Sequence, residues 1–163
     1  MIRAGSEVAM RDFEIAQHFV YAANVVFYTM AKIIVTSGKF FIKHDRKALG
    51  AITAVITLSG FRNGTIAVSF DRGSAMALVR GMLGDDVEDM ERDMLDAVGE
   101  VTNMISGHAR EAMAKSGVVL QGATPTILVG DDTEIAYMSQ APVVVIPFST
   151  PDGAFYVEFC LGE

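Results

Sequence analysis

One cysteine, Cys160, is the whole supply of thiol in this chain. It excludes an intramolecular disulfide and a cysteine metal cluster, and a reducing cytoplasm is the expected setting. Basic residues are also few: 13 Lys and Arg stand against 20 Asp and Glu, a formal net charge of -7. Acids crowd at Asp85, Asp86, Glu88, Asp89, Glu91 and Asp93. Nucleic acid is a poor partner for such a surface, because binding it rests on basic neutralisation of phosphates. Long apolar runs are missing too. Phe19 to Ala31, the best of them, is bounded by His18 and Lys32 and interrupted by Asn24, whereas a spanning helix needs about 20 apolar residues. No membrane segment is expected. Arg3, Glu7, Arg11, Asp12 and Glu14 leave no apolar core for a cleavable signal. The common catalytic signatures are absent as well: no phosphate loop G-x-x-x-x-G-K-[ST], no G-x-S-x-G elbow, no H-E-x-x-H. His18, His44 and His108 share no metal-ligand spacing, Asp131-Asp132 reads as a solvated turn, and Ser106 has no local base. No metal of the chain's own is expected.

What is present describes a globular chain. Hydrophobic residues make up 51% against 20% charged, which excludes disorder, and 163 residues suit one domain with its own core. Helical periodicity runs from about Val8 to Lys32, with Ile15, Phe19, Ala23, Val26 and Met30 on one side. Strand-like stretches follow at Ile33 to Lys43 (broken near Ser37-Gly38), Gly50 to Ser59 and Thr65 to Phe70, with Arg62-Asn63-Gly64 as a hairpin signal. Asp71 or Ser74 can cap a short helix ending at Gly81 to Gly84. A long helix over about Glu88 to Lys115 stops at Ser116-Gly117. The remaining strands are expected at Val118 to Leu120, Thr126 to Val129, Glu134 to Ser139, Val143 to Phe148 and Ala154 to Leu161, with Pro151-Asp152-Gly153 turning the last hairpin.

The halves echo each other. Adding 79 carries Gln17, Tyr21, Asn24 and Tyr28 onto Asp96, Glu100, Asn103 and Gly107; adding 89 carries Asn63-Gly64 onto Asp152-Gly153, and Val68 and Phe70 onto Val157 and Phe159. The ten-residue difference implies an insertion in the second half, placed around Gly130-Asp131-Asp132-Thr133. The expected fold class is α+β: two layers, a mostly antiparallel sheet with long helices packed on one face, and an internal pseudo-two-fold repeat. The whole of 1–163 is then one domain of two degenerate repeats, about 8–84 and 88–163.

The long helix carries the chemistry. Asp96, Glu100, Asn103 and Gly107 stand at i, i+4, i+7 and i+11, within roughly 60° of one another at about 100° per residue. Met94, Leu95, Val98, Val101, Ile105, Ala109 and Met113 form the opposite face. Gly99 and Gly107 each cost the helix about 1 kcal/mol relative to Ala, and a bare Gly107 lets another molecule's backbone come close. Met104, beside the stripe, is expected to face outward at a protein interface. A carboxamide offers a donor and an acceptor on one rigid group, so Asn103 can hold a water in line with a phosphorus–oxygen bond. Glu100 repels phosphate but can anchor a lysine beside it. Such a site lacks its own cation, so a metal and basic residues on the other protein must meet the developing charge.

Asp96-x3-Glu100-x2-Asn103, Pro125 about twenty residues on, and the degenerate Tyr21-x2-Asn24 together resemble the CheC/CheX/FliY phosphatases of CheY-like response regulators, CheX above all. The resemblance implies an aspartyl-phosphate protein phosphatase in which Glu100 pairs with the receiver's lysine and Asn103 positions the attacking water. Asp96, Met104 and Gly107 would serve partner binding. It further implies Mg2+ on the phosphorylated partner and a homodimer formed through the sheets. Tyr21 stands where the first copy's acid would be, so a single active site is implied. The rival expectation is a non-catalytic adaptor that binds a receiver domain or a flagellar-switch component.

Overall fold

The structure, a computed structural model, describes residues 2–162, with side chains from residue 12 onward; the side chains of Arg3, Glu7 and Arg11 lie outside the described residues. Among the described residues three α-helices form, the second and third close to where apolar periodicity and caps place them and the first starting earlier than the expected Val8. Helix α1 spans Ile2–Ala31 and ends as Lys32 turns to a positive φ of 57°. There the N–H groups of Lys32 and Ile33 close back on the carbonyls of Tyr28 and Phe27. Helix α2, Arg72–Leu83, starts where the Asp71 carboxylate accepts from the Ser74 N–H and stops at Gly84, whose φ of 56° suits a residue without a Cβ. Helix α3, Met90–Lys115, is capped by Asp89, which accepts from the Arg92 N–H, while Asp93 reaches back to the N–H groups of Glu88 and Asp89. That reciprocal pair satisfies donors the first turn leaves free.

Eight antiparallel strands make one sheet: β1 Thr36–Ser37, β2 Phe41–Lys43, β3 Ile52–Gly60, β4 Gly64–Phe70, β5 Leu120–Gly122, β6 Thr126–Val129, β7 Val143–Thr150 and β8 Gly153–Leu161. Their order is β1-β7-β8-β4-β3-β5, with β2 also on β7 and β6 also on β3. This order maps onto itself when the halves are exchanged. At the centre Val68 lies opposite Val157, and these two are repeat mates at an offset of 89 (157 − 68). An antiparallel ladder has a local two-fold through such a pair, so the pseudo-symmetry axis passes there.

Register also relocates the insertion. Ile56 faces Ile66 and Phe148 faces Phe155, so with β4 on β8 at 89 (155 − 66) β3 maps onto β7 at 92 (148 − 56). Phe41 opposite Val145 corresponds to Leu128 opposite Thr53, an offset of 87 (128 − 41). From the helices at 79, eight extra residues therefore lie between α3 and the edge strands. Five more fall between β6 and β7, and three are missing from the last hairpin. Only part of the insertion sits near Gly130.

All three helices pack on one face, against Ile52, Ala54, Ile56 and Leu58 of β3 and the matching alternation Ile66, Val68, Phe70, Phe155, Val157 and Phe159 of the central strands. Phe27 and Phe148 sandwich Phe155, with ring centroids 4.3 and 4.7 Å away. The other face is covered in part by residues 130–142. Glu134 to Ser139, expected as a strand, makes only the isolated bridge Lys47–Glu134. The segment instead crosses this face, burying Ile135 against Ala48 and Ala67 and laying Tyr137 over Val143, Val145 and Cys160. Beneath it Lys43 Nζ donates to Glu158 Oε1 and Oε2 at 3.0 and 3.1 Å and to the Lys47 carbonyl at 2.7 Å. The Tyr137 hydroxyl donates to the same carboxylate. β5 begins at Leu120, not Val118, because the Val118 N–H is spent on the Met113 carbonyl in closing α3.

Candidate functional site

Helix α3 fixes the stripe by what it buries behind it. Val98, Val101, Ile105 and Ala109 are wholly buried, which sets the helix rotation and leaves Asp96, Glu100 and Asn103 exposed on the opposite side. Among the described residues, none of these three polar side chains is engaged in an ion pair. They form one wall of an open groove of about 310 Å³; Thr124, Pro125 and Ile127 form the other, and Leu95 and Gly99 the floor. Pro125 is thus brought to the Glu100–Asn103 pair from 22 residues away in sequence (125 − 103).

The two helix glycines have different reasons. A Cβ on Gly99 would stand 3.3 Å from Ile127 Cδ1, so this glycine lets the β6 wall lie close to the helix. Around Gly107 a Cβ would meet nothing within 4 Å, and that surface is open to a second molecule. Met104, expected to face outward, is instead half-buried and packs on the main core, because it lies on the border between the stripe and the buried face. Thr124 and Ile127 were not singled out from the sequence; nothing in their local pattern marks them, since only the pairing of β6 on β3 carries them to the helix.

The first half has the matching groove with different contents. Gln17, Tyr21, Asn24 and Tyr28 are exposed at the equivalent places on α1. The groove beside them, about 400 Å³, is lined by Phe13, Ala16, Gln17, Val20 and Phe40 among others. The Phe13 and Phe40 rings stand 6.1 Å apart. Val20 takes the place of Gly99, and Asn24 donates its carboxamide to the Val20 carbonyl at 2.8 Å, turned onto its own helix. Among the described residues, no acid lines this groove. The histidines do not join either groove: His18 borders a separate depression with Glu14 and Arg62, and His44 and His108 are exposed. Among the described residues, no three His, Cys, Asp or Glu side chains converge as a metal site, and no helix is long and apolar enough to cross a membrane.

Comparison with known proteins bears on this arrangement. Residues 52–149 match the family model described as chemotaxis phosphatase CheX. No protein with a curated description matches. Among solved structures, the chemotaxis protein CheX from Desulfovibrio desulfuricans is 47% identical, covering 91% of this chain and 99% of that one, with a TM-score of 0.84. CheX from Vibrio vulnificus is 30% identical over 91% and 99%, with a TM-score of 0.82. The CheX of the CheX–CheY–BeF3–Mg2+ complex from Borrelia burgdorferi is 21% identical over 91% and 97%, and its TM-score of 0.75 marks the same fold.

Proposed function

The chain belongs to the CheX family of chemotaxis phosphatases, and from that premise we propose that it hydrolyses the aspartyl phosphate of a CheY-like receiver protein. The observation that carries this reading is the exposed Glu100–Asn103 pair, facing Pro125 across a groove open enough to admit another protein's loop. Glu100 binds the receiver's lysine as an ion pair that strengthens as the interface excludes water. Asn103 reaches the phosphoryl group, accepting from and donating to the attacking water and so holding it in line. The water oxygen bonds to phosphorus while the bond from phosphorus to the aspartyl oxygen breaks. Inorganic phosphate leaves as the dihydrogen anion carrying both of the water's protons, and the aspartate is restored as a carboxylate. Mg2+ belongs to the receiver and supplies countercharge to the phosphoryl oxygens.

Asp96, Met104 and Gly107 contribute to the partner surface, Gly107 by letting the receiver backbone come close. The groove with Tyr21 and the turned-down Asn24 is inactive, so one site serves a single domain of two repeats, about 8–84 and 88–163. The cytoplasm, where such receivers act, and a homodimer complete the reading. Decay of a phosphorylated receiver in the presence of magnesium, with and without the chain, is the test. Asn103→Ala should abolish acceleration with binding retained, and Glu100→Ala should weaken binding as well. Unchanged decay of every receiver from the same genome would overturn the reading; tight binding without faster decay would make the chain an adaptor.

A further inference from the structure

Arg110 continues the stripe two turns beyond Asn103, and it is held there by two residues that differ from their repeat mates. Its Nε donates to Ser106 Oγ at 3.0 Å. Ser106 is wholly buried, a polar residue on the apolar side of α3. On the other side, a Cβ built at Gly122 would stand 3.1 Å from Arg110 Cζ and 3.2 Å from both Nε and Nη2. Three nearly equal distances put that point over the face of the guanidinium, so the plane lies against bare backbone that any side chain would displace. At the offsets fixed by helix pattern and strand register, the first-half mates are Phe27 (106 − 79), Ala31 (110 − 79) and Val35 (122 − 87). All three are buried apolar core residues. The second half forgoes a fully buried phenyl ring in favour of a Ser–Arg–Gly set that orients one cation.

Among the described residues that cation has no counter-ion: the ion pairs there use Lys43, Arg72 and Arg92. The geometry points to Arg110 as the place where the chain grips a carboxylate on the receiver, separate from the phosphoryl group. This rests on the receiver-phosphatase reading above. Arg110 does not line the groove that holds Glu100 and Asn103; its guanidinium stands against Ser106 and Gly122, beside the phosphoryl site and not in it. The second anion must come from elsewhere on the same partner, and on a protein surface it is an Asp or Glu side chain. A guanidinium held by Nε and by one face keeps its Nη edge in the fork that matches a carboxylate. Gly107, one turn before it, leaves the open space through which the partner's backbone can approach. Residues 122–125 run from the Arg110 platform to the Thr124–Pro125 wall of the groove, so both contacts lie along one surface.

The test titrates a CheY-like receiver, activated with beryllofluoride and magnesium, against the full chain and its Arg110→Met, Arg110→Lys and Ser106→Ala forms. Each is measured at low and at raised ionic strength, with steady-state hydrolysis of the phosphorylated receiver alongside. Arg110→Met keeps the aliphatic stem and should bind about tenfold or more weakly, raising KM while kcat at saturation holds. The difference should shrink as salt rises. Arg110→Lys should lose less, and Ser106→Ala should lose part of the affinity with the charge intact. If Arg110→Met does not fold, the Lys and Ser106→Ala forms decide by the same KM and salt readouts. A guanidinium that merely clamps β5 predicts a lower Tm with affinity unchanged, and that result overturns the inference. Failure of the unaltered chain to bind or dephosphorylate any receiver overturns both readings. Normal activity with an Arg110→Met that matches it at every salt concentration overturns this one alone.

Discussion

Lys43→Met removes the cation from a buried ion pair on the sheet face away from the helices, and its cost should depend on pH in a defined direction. The Lys43 and Glu158 side chains are 4% and 0% exposed. Burial pushes the Glu158 carboxyl above its ordinary value, with Lys43 and Tyr137 pulling it only part of the way back. Stripping one partner from such a pair costs about 3–5 kcal/mol, because the remaining charge is left in a poorly polarisable interior. An acid whose folded pKa exceeds its unfolded one binds more protons when folded across the window between the two. Stability therefore falls as pH rises through that window and is fully present below the unfolded value, ordinarily 4.5. Removing Lys43 raises the folded pKa further and widens the window upward. The penalty should be full at neutral pH and shrink on acidification, as Glu158 becomes a neutral acid beside Tyr137. Urea unfolding followed by far-UV circular dichroism at about pH 5 and about pH 7.5 would measure it. The Lys43→Met/Glu158→Gln double variant should be more stable than Lys43→Met at neutral pH, since no charge is left unpaired. A penalty below about 1 kcal/mol, or one equal at both pH values, would refute this account of the pair.

Gly107→Ala should stabilise the free chain by about 1 kcal/mol in a denaturant titration, because the new methyl meets nothing and alanine is the better helix former; the same change should weaken receiver binding, seen by calorimetry. Thr102→Val should be neutral or stabilising by about 1 kcal/mol in the same titration, since the wholly buried Thr102 hydroxyl lacks a partner among the described residues. Tyr21→Glu should not create a second site. Introduced into Asn103→Ala, it should leave receiver dephosphorylation at the uncatalysed rate, because Asn24 is bonded to the Val20 carbonyl and Val20 and Phe40 give the groove an apolar lining.

The parts of the molecule legible in its sequence are those governed by local chemistry. Asp71 caps the start of α2 and Gly84 its end, and Gly117, at a φ of 89°, follows the end of α3 as capping preferences require. Thr126–Val129 forms within the expected bounds, and the 3.6-residue period placed Asp96, Glu100 and Asn103 opposite Val98 and Ile105. What was not legible depends on distant partners. Glu134 to Ser139 has a strand's composition, but the outer face needed cover over Ala67 and Cys160 more than another strand. Val118 was drawn into closing α3. The purpose of Gly99 is visible only once Ile127 lies 3.3 Å from its missing Cβ. Sequence offsets of 79 and 89 revealed the repeat but not where its insertions fall, because only strand register ties each residue to its mate.

Register also explains how one groove can carry the Glu100–Asn103 pair while its twin is lined by aromatic and aliphatic residues. β1 and β2 belong to the first repeat yet lie on β7 of the second; β5 and β6 belong to the second yet lie on β3 of the first. Each half lends its edge strands to the other's hairpin, so neither can bury its face alone and the sheet is stabilised as a whole. The grooves stand at opposite ends of that exchange, each bounded by one long helix and the chain around its edge strands. Lining the first with Phe13, Val20 and Phe40 therefore leaves the pairing that supports the second intact. Support for the Glu100–Asn103 groove comes instead from β3, where Ala54 faces Ile127 and Val55 faces Thr126. A one-residue slip of that pairing would turn Ile127 to the other face of the sheet, removing the groove's wall without changing any residue of the stripe. The geometry of the Glu100–Asn103 groove is thus set by a strand of the other repeat.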